Sequence, residues 1–186
     1  MIRNAEGKVI SRVKLKPRES AFLHWDNLLT LEFNDSLPKI CGLEIMPNHS
    51  SPTIFLAGNS TVVDQDKEPW AAWGQMFPAM IAPGKAIVAN YAESGEAMRS
   101  FKGANRLEKI WSMAKPGDYL FIEFAHNDQK PGGSHLDPFT TYMSTLKSWI
   151  AEARKRSIKP VLVTSMHRRN FDAAGKIINT LLDYPD

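Results

Sequence analysis

The pattern of apolar and polar positions changes texture near residue 50. Ahead of it the period is two. Val9-Ile10-Ser11-Arg12-Val13-Lys14-Leu15-Lys16 alternates from Arg12 onward, Leu28-Leu29-Thr30-Leu31-Glu32-Phe33 runs into the turn signal Asn34-Asp35, and Ile40-Cys41-Gly42-Leu43-Glu44-Ile45 alternates again. Alternation predicts three half-buried strands and no helix. So small a sheet buries too little surface to stand alone. Residues 1–50 are therefore expected to be the C-terminal strands of a β-sandwich-like domain whose beginning lies outside the chain. Pro47-Asn48-His49-Ser50-Ser51-Pro52 reads as a linker by its turn chemistry.

From Thr53 the runs become continuous. Ile54-Phe55-Leu56-Ala57, Ala86-Ile87-Val88-Ala89, Tyr119-Leu120-Phe121-Ile122-Glu123-Phe124 and Pro160-Val161-Leu162-Val163-Thr164 are short apolar segments. Such runs suit strands buried on both faces. Between the last two, Phe139, Tyr142, Met143, Leu146, Trp149, Ile150 and Ala153 recur at helical spacing. Leu107, Ile110, Trp111 and Ala114 predict another helix, stopped by Pro116-Gly117. Strands spaced by helices imply right-handed crossovers, a parallel sheet and a layered α/β fold for residues 53–186.

Composition narrows the field only slightly. With 43% hydrophobic and 10% aromatic residues the chain can build a core. A net charge of +3 from scattered basic residues gives no nucleic-acid footprint. Arg154-Lys155-Arg156 and Arg168-Arg169 read as solvated helix ends. The single cysteine, Cys41, excludes an internal disulfide and a cysteine-built zinc site. No apolar run approaches the roughly 18 residues of a membrane span, and the first residues lack the apolar core of a secretory signal.

In doubly wound sheets function gathers in the loops after the strands. The first loop is Gly58-Asn59-Ser60-Thr61. A serine on a sharp turn after a buried strand exposes its hydroxyl and sets its N–H near a helix start, although the same residue also suits an N-cap. The second loop contains Gly95, a bare main-chain N–H or a simple turn glycine. The third is Ala125-His126-Asn127-Asp128-Gln129. There Asn127 can aim an amide at a developing negative charge or sit in a solvated Asx-turn.

Together the loops resemble the three successive blocks of the SGNH (GDSL-like) hydrolases. The stretch from Phe55 to Trp70, with Trp73-Gly74-Gln75 and with Phe124 to Lys130, is similar to the rhamnogalacturonan acetylesterase-like carbohydrate esterases in particular. The resemblance covers residues 53–186 and implies a flavodoxin-like three-layer α/β/α sandwich. It implies a serine esterase that removes O-acetyl groups from pectic, rhamnogalacturonan-type polysaccharide of the plant cell wall. Ser60 would be the nucleophile. The Ser60 N–H, the Gly95 N–H and the Asn127 side chain would form the oxyanion hole. Asn59, His126 and Asp128 are the accompanying substrate-binding candidates. No metal or organic cofactor, no nucleic acid and no membrane are implied; the full-length parent would be extracellular or periplasmic.

Four departures stand out. Asn59 replaces the family's usual Asp, Ala125 replaces a Gly, and Glu96-Ala97 replaces an Arg-Ser pair. The family's final Asp-x-x-His block, which supplies the general base, has no counterpart before Asp186. None of His24, His49, His126, His135 or His167 is an evident substitute. The expectation is an interior piece of a longer exported enzyme, catalytically impaired on its own. Two rival readings remain open: a non-catalytic carbohydrate-binding fragment using Trp70, Trp73, Trp111 or Trp149 as sugar platforms, and a metal-assisted hydrolase using Asp64, Asp66, His126 and Asp128.

Overall fold

The computed structural model describes residues 1–21, 31, 36–37, 39–47 and 50–184. It opens with β1 (Ile2–Arg3) paired antiparallel to β2 (Val9–Ser11), followed by a short helix, α1 (Pro17–Ala21). The pattern in this region overstated the strands. β2 ends at Ser11 rather than continuing to Lys16, and residues 17–21 are helical. No strand forms over 40–45, where Ile40, Leu43 and Ile45 are exposed. Alternation without a partner sheet leaves these side chains nothing to pack on. The strand expected at Leu28–Phe33, apart from Leu31, lies outside the described residues, as do His24 and His49.

The α/β part follows the expected plan. Four strands, β3 (Thr53–Gly58), β4 (Ile87–Asn90), β5 (Tyr119–Glu123) and β6 (Lys159–Leu162), form one parallel sheet in the order β4-β3-β5-β6. Among the described residues five α-helices accompany the sheet: α1, then α2 (Trp73–Met76), α3 (Met98–Gly103), α4 (Arg106–Trp111) and α5 (Met143–Lys155). Successive β3 side chains point to opposite faces, and each face has its own core. Phe55 and Ala57 join Leu120 and Ile122 against Phe101, Leu107, Ile110 and Trp149 of α3, α4 and α5. Ile54 and Leu56 join Val62, Val63 and Ala92, with Trp73 and Phe77 packed on them. This is the three-layer sandwich.

Two local differences have physical causes. A π-helical turn at Pro138–Tyr142 precedes α5. Its wider turn moves Phe139 off the apolar stripe, leaving it 59% exposed while Tyr142 and Trp149 are buried. α3 was not evident in the sequence because only Met98 and Phe101 mark its buried side.

The strand order also places the site. The chain leaves β3 toward β4 on one side and returns to β5 on the other. The turns after β3 and β5 thus flank the point where the winding reverses, which is where open α/β sheets form their crevice.

Candidate active site

Three turns meet at the carboxyl end of the sheet. The turn after β3 carries Asn59 and Ser60, the turn after β4 carries Glu93 to Ala97, and the turn after β5 carries Ala125 to Asp128. They are stitched together. Glu93 N–H donates to the Gly58 carbonyl at 3.2 Å, and Asn127 Nδ2 donates to the Glu96 carbonyl at 3.0 Å. Met98 N–H at 2.8 Å and Ala125 N–H at 2.9 Å donate to the two carboxylate oxygens of Asp128.

Ser60 is exposed. Its carbonyl accepts from Gln65 Nε2 at 2.9 Å, which pins the turn from behind. Gly95 is exposed at φ +79°, a backbone conformation that requires glycine. Asn127 is half-buried. One of its amide hydrogens is committed to Glu96 and its carbonyl accepts from Lys130 at 2.7 Å, which leaves the second amide hydrogen for a ligand.

Asn59, His126 and Asp128 differ from the substrate contacts expected of them. They are 0%, 6% and 0% exposed, and their bonded polar atoms face the protein. Asn59 Oδ1 accepts the Thr61 N–H at 3.1 Å, while its Nδ2 is buried without a partner. His126 Nε2 lies 2.9 Å from the Met166 carbonyl, an acceptor only, so this nitrogen carries the proton and Nδ1 is bare and unpartnered. Burial holds this imidazole below its ordinary pKa, with the Met166 bond opposing and nearby cations assisting. Burial likewise pushes the Asp128 carboxyl up, against the main-chain bonds that lower it. These three residues hold loops.

Ala125 is the substitution whose cost the sequence understated. Its φ is +119°, where a Cβ is strained by roughly 1–3 kcal/mol. Its N–H bond to Asp128 keeps it there. Ala125→Gly is expected to raise the unfolding free energy by about 1 kcal/mol, after allowing for glycine's extra freedom when unfolded, and so to move the urea midpoint upward. An unchanged or lowered midpoint would mean that the turn carries no strain.

The structure adds residues that the sequence did not single out. Lys16 pairs with Glu96 at 2.9 Å and donates to the Ser94 carbonyl, flanking Gly95. Arg18 grips Glu93 with two bonds of 2.9 and 2.8 Å and reaches Asp66 at 3.3 Å, joining the first loop to the second. Glu96, in place of the family's Arg, is thus buried and paired rather than offered to substrate. Buried acids in a rim loop, with basic residues in a segment of unknown packing, were the available signal.

The rival constellations separate. Asp64 accepts from Asn90, Asp66 pairs with Arg18, Asp128 holds main-chain N–H groups and His126 Nε2 bonds the Met166 carbonyl, so the four proposed metal ligands each have another partner. Among the described residues no group of three or more potential ligands converges. Trp111 and Trp149 are core residues at 7% and 2% exposure; Trp73 is half-buried, and Trp70 is 70% exposed. Among the described residues no histidine nitrogen is hydrogen-bonded to Ser60; His167 Nδ1 accepts from Thr180 at 3.4 Å. No described helix is long and apolar enough to cross a membrane.

Known proteins are similar to this chain in sequence and in fold. The chain is 43% identical over 135 residues to rhamnogalacturonan acetylesterase RhgT of Bacillus subtilis, covering 72% of this chain and 57% of that protein. It is 35% identical over 143 residues to YesY, a probable rhamnogalacturonan acetylesterase of the same organism, covering 75% and 63%. The chain thus spans about three fifths of the length of these relatives. Among solved structures, the Bacillus subtilis protein YxiM matches with a TM-score of 0.61 and 28% identity, over 67% of this chain and 36% of that one. A putative GDSL-like lipase from Parabacteroides merdae matches in fold, with a TM-score of 0.51 and 13% identity over 73% and 70%. No protein-family model matches. Over the matched residues the chain is similar to rhamnogalacturonan acetylesterases, and its parallel sheet has the fold of GDSL-like (SGNH) hydrolases.

Proposed function

We propose that this protein is a carbohydrate esterase that removes O-acetyl groups from pectic, rhamnogalacturonan-type polysaccharide outside the cell. The observation that carries the reading is an exposed serine on a pinned turn, at the crevice of the sheet, beside two loops that each offer a donor. In this mechanism Ser60 Oγ attacks the acetyl carbonyl carbon, the sugar oxygen leaves with a proton, and water releases acetate from the acyl-enzyme. The Ser60 and Gly95 N–H groups and the free Asn127 amide hydrogen hold the oxyanion. Arg18, Lys16 and Asp128 act through the loops by fixing their positions.

The test is acetate release from acetylated rhamnogalacturonan by the intact protein, compared with its Asn127→Ala variant. Loss of one oxyanion donor raises the barrier by about 2.7–4 kcal/mol, about 10²–10³ in kcat. KM should change little, because the lost bond forms only in the transition state. A KM effect with unchanged kcat would place Asn127 in ground-state binding, and no acetate from any acetylated pectic substrate would end the proposal.

A further inference from the structure

Beneath the Ser60 turn lies a carboxyl group that none of the steps above uses. Glu123, the last residue of β5, is 1% exposed, in register with Gly58 of β3. Among the described residues no Lys or Arg pairs with it. Its partners are neutral. Thr61 Oγ1 lies 2.6 Å from Glu123 Oε1, and the Trp73 indole N–H donates to Oε2. Tyr142 lies in the core on the other face of the sheet, where its phenol is pushed up mainly by burial, with Asp128, Tyr184 and Glu123 as smaller contributors.

Counting hydrogens decides the state of this trio. The Thr61 hydroxyl has one hydrogen, yet a second oxygen, Asn59 Oδ1, also lies 3.0 Å from it. Asn59 Oδ1 must be an acceptor, because the Thr61 main-chain N–H points at it from 3.1 Å. Reversing the amide would set two donors face to face. With Glu123 ionised, one of the two contacts to Thr61 Oγ1 has no proton. With Glu123 neutral, both do: Oε1–H donates to Thr61 Oγ1, and Thr61 Oγ1–H donates to Asn59 Oδ1. Oε2 still accepts from Trp73.

We propose that Glu123 is held as a neutral carboxylic acid and that the chain Glu123–Thr61–Asn59 positions the Ser60 turn. Burial supports this by pushing the Glu123 carboxyl above the usual carboxylate range, against the smaller lowering effect of its bonds to Thr61 and Trp73. Glu123 is a positioning residue in this scheme. Its protonation stands on geometry alone, whereas the positioning role rests on Ser60 being the nucleophile.

Glu123→Gln tests the idea directly, since a glutamine amide donates to Thr61 and accepts from Trp73 without titrating. The intact wild-type protein at pH 7 should show the infrared C=O band of a protonated carboxyl, missing from E123Q. The stability comparison has a definite sign. The folded pKa lies above the unfolded value of about 4.3, so the proton's stabilisation is complete below that pH. It is lost as pH rises through the folded value, and E123Q should overtake wild type over that window. Labelling of Ser60 by a phosphonate probe should persist in E123Q, and fall roughly tenfold or more in T61V, which fills the same space but breaks the chain. A missing band together with a pH-independent stability difference overturns the neutral acid. Unimpaired labelling of T61V overturns the positioning role. If the band is present but Ser60 is not labelled in any variant, the esterase reading fails while the neutral acid is upheld.

Discussion

Ser60→Ala is expected to remove phosphonate labelling from the intact protein and to reduce acetyl-ester hydrolysis to what the oxyanion donors alone sustain. Where a serine acts with a base, losing it leaves a residue of about 10³–10⁴ over water, from binding and oxyanion contacts. The same change should leave stability within about 0.5 kcal/mol, because Ser60 is exposed and its carbonyl, not its hydroxyl, carries the bond to Gln65. The contrast between a collapsed rate and an unmoved melting curve separates chemistry from folding. Equal labelling of wild type and variant would place the nucleophile elsewhere and leave the three loops without their central role.

The second large effect concerns the N-terminal segment. Arg106 opens α4 at 0% exposure and donates from both terminal nitrogens to Glu19 of α1, itself 4% exposed, with one distance of 2.8 Å. Glu96 is a further neighbour at 3.9 Å. Arg106→Met would leave the Glu19 carboxylate buried without its guanidinium. Breaking a buried pair in this way costs about 3–5 kcal/mol. Chemical denaturation should show that loss, and residues 1–21 should become sensitive to protease. Adding Glu19→Gln should recover part of it, since a neutral amide is cheaper to bury than an unpaired charge. A loss under about 1 kcal/mol would mean that the segment simply lifts into solvent, where such pairs contribute little. That outcome would also remove Lys16 and Arg18 from the support of the first and second loops.

Some of this was legible from residue order. The four strands were found to within a residue or two from unbroken apolar runs such as Ile54–Ala57, but only β3 and β5 are buried as expected; the edge strands β4 and β6 are half-buried, with Ile87 and Leu162 exposed. The loops that carry Ser60, Gly95 and Asn127 could be placed because short polar segments interrupt those runs at strand ends. The N-terminal segment was not legible. Its helix α1 is tied to the rest by Arg18–Glu93 and Glu19–Arg106, partners 75 and 87 residues apart. Local periodicity carries no information at that separation. Glu123 passed as one more position in an apolar strand, although a lone carboxylate in such a run was itself the clue. The replacement of a Gly by Ala125 was visible in the sequence but its strain was not, since a side chain one methyl larger than glycine looks harmless until the backbone is known to sit at φ +119°.

The order of residues by itself determined that residues from 53 onward form a parallel α/β sheet and that Ser60, Gly95 and Asn127 fall just past successive strands. Those facts follow from short-range physics: an apolar run must be buried, and a polar one must end it. Only the tertiary structure decided which polar groups stay open and which are consumed. Ser60 and Gly95 face solvent, whereas Asn59, His126 and Asp128 are spent on holding the loops. A side chain's exposure and charge state depend on atoms brought beside it from elsewhere in the chain, and folding alone fixes who those neighbours are.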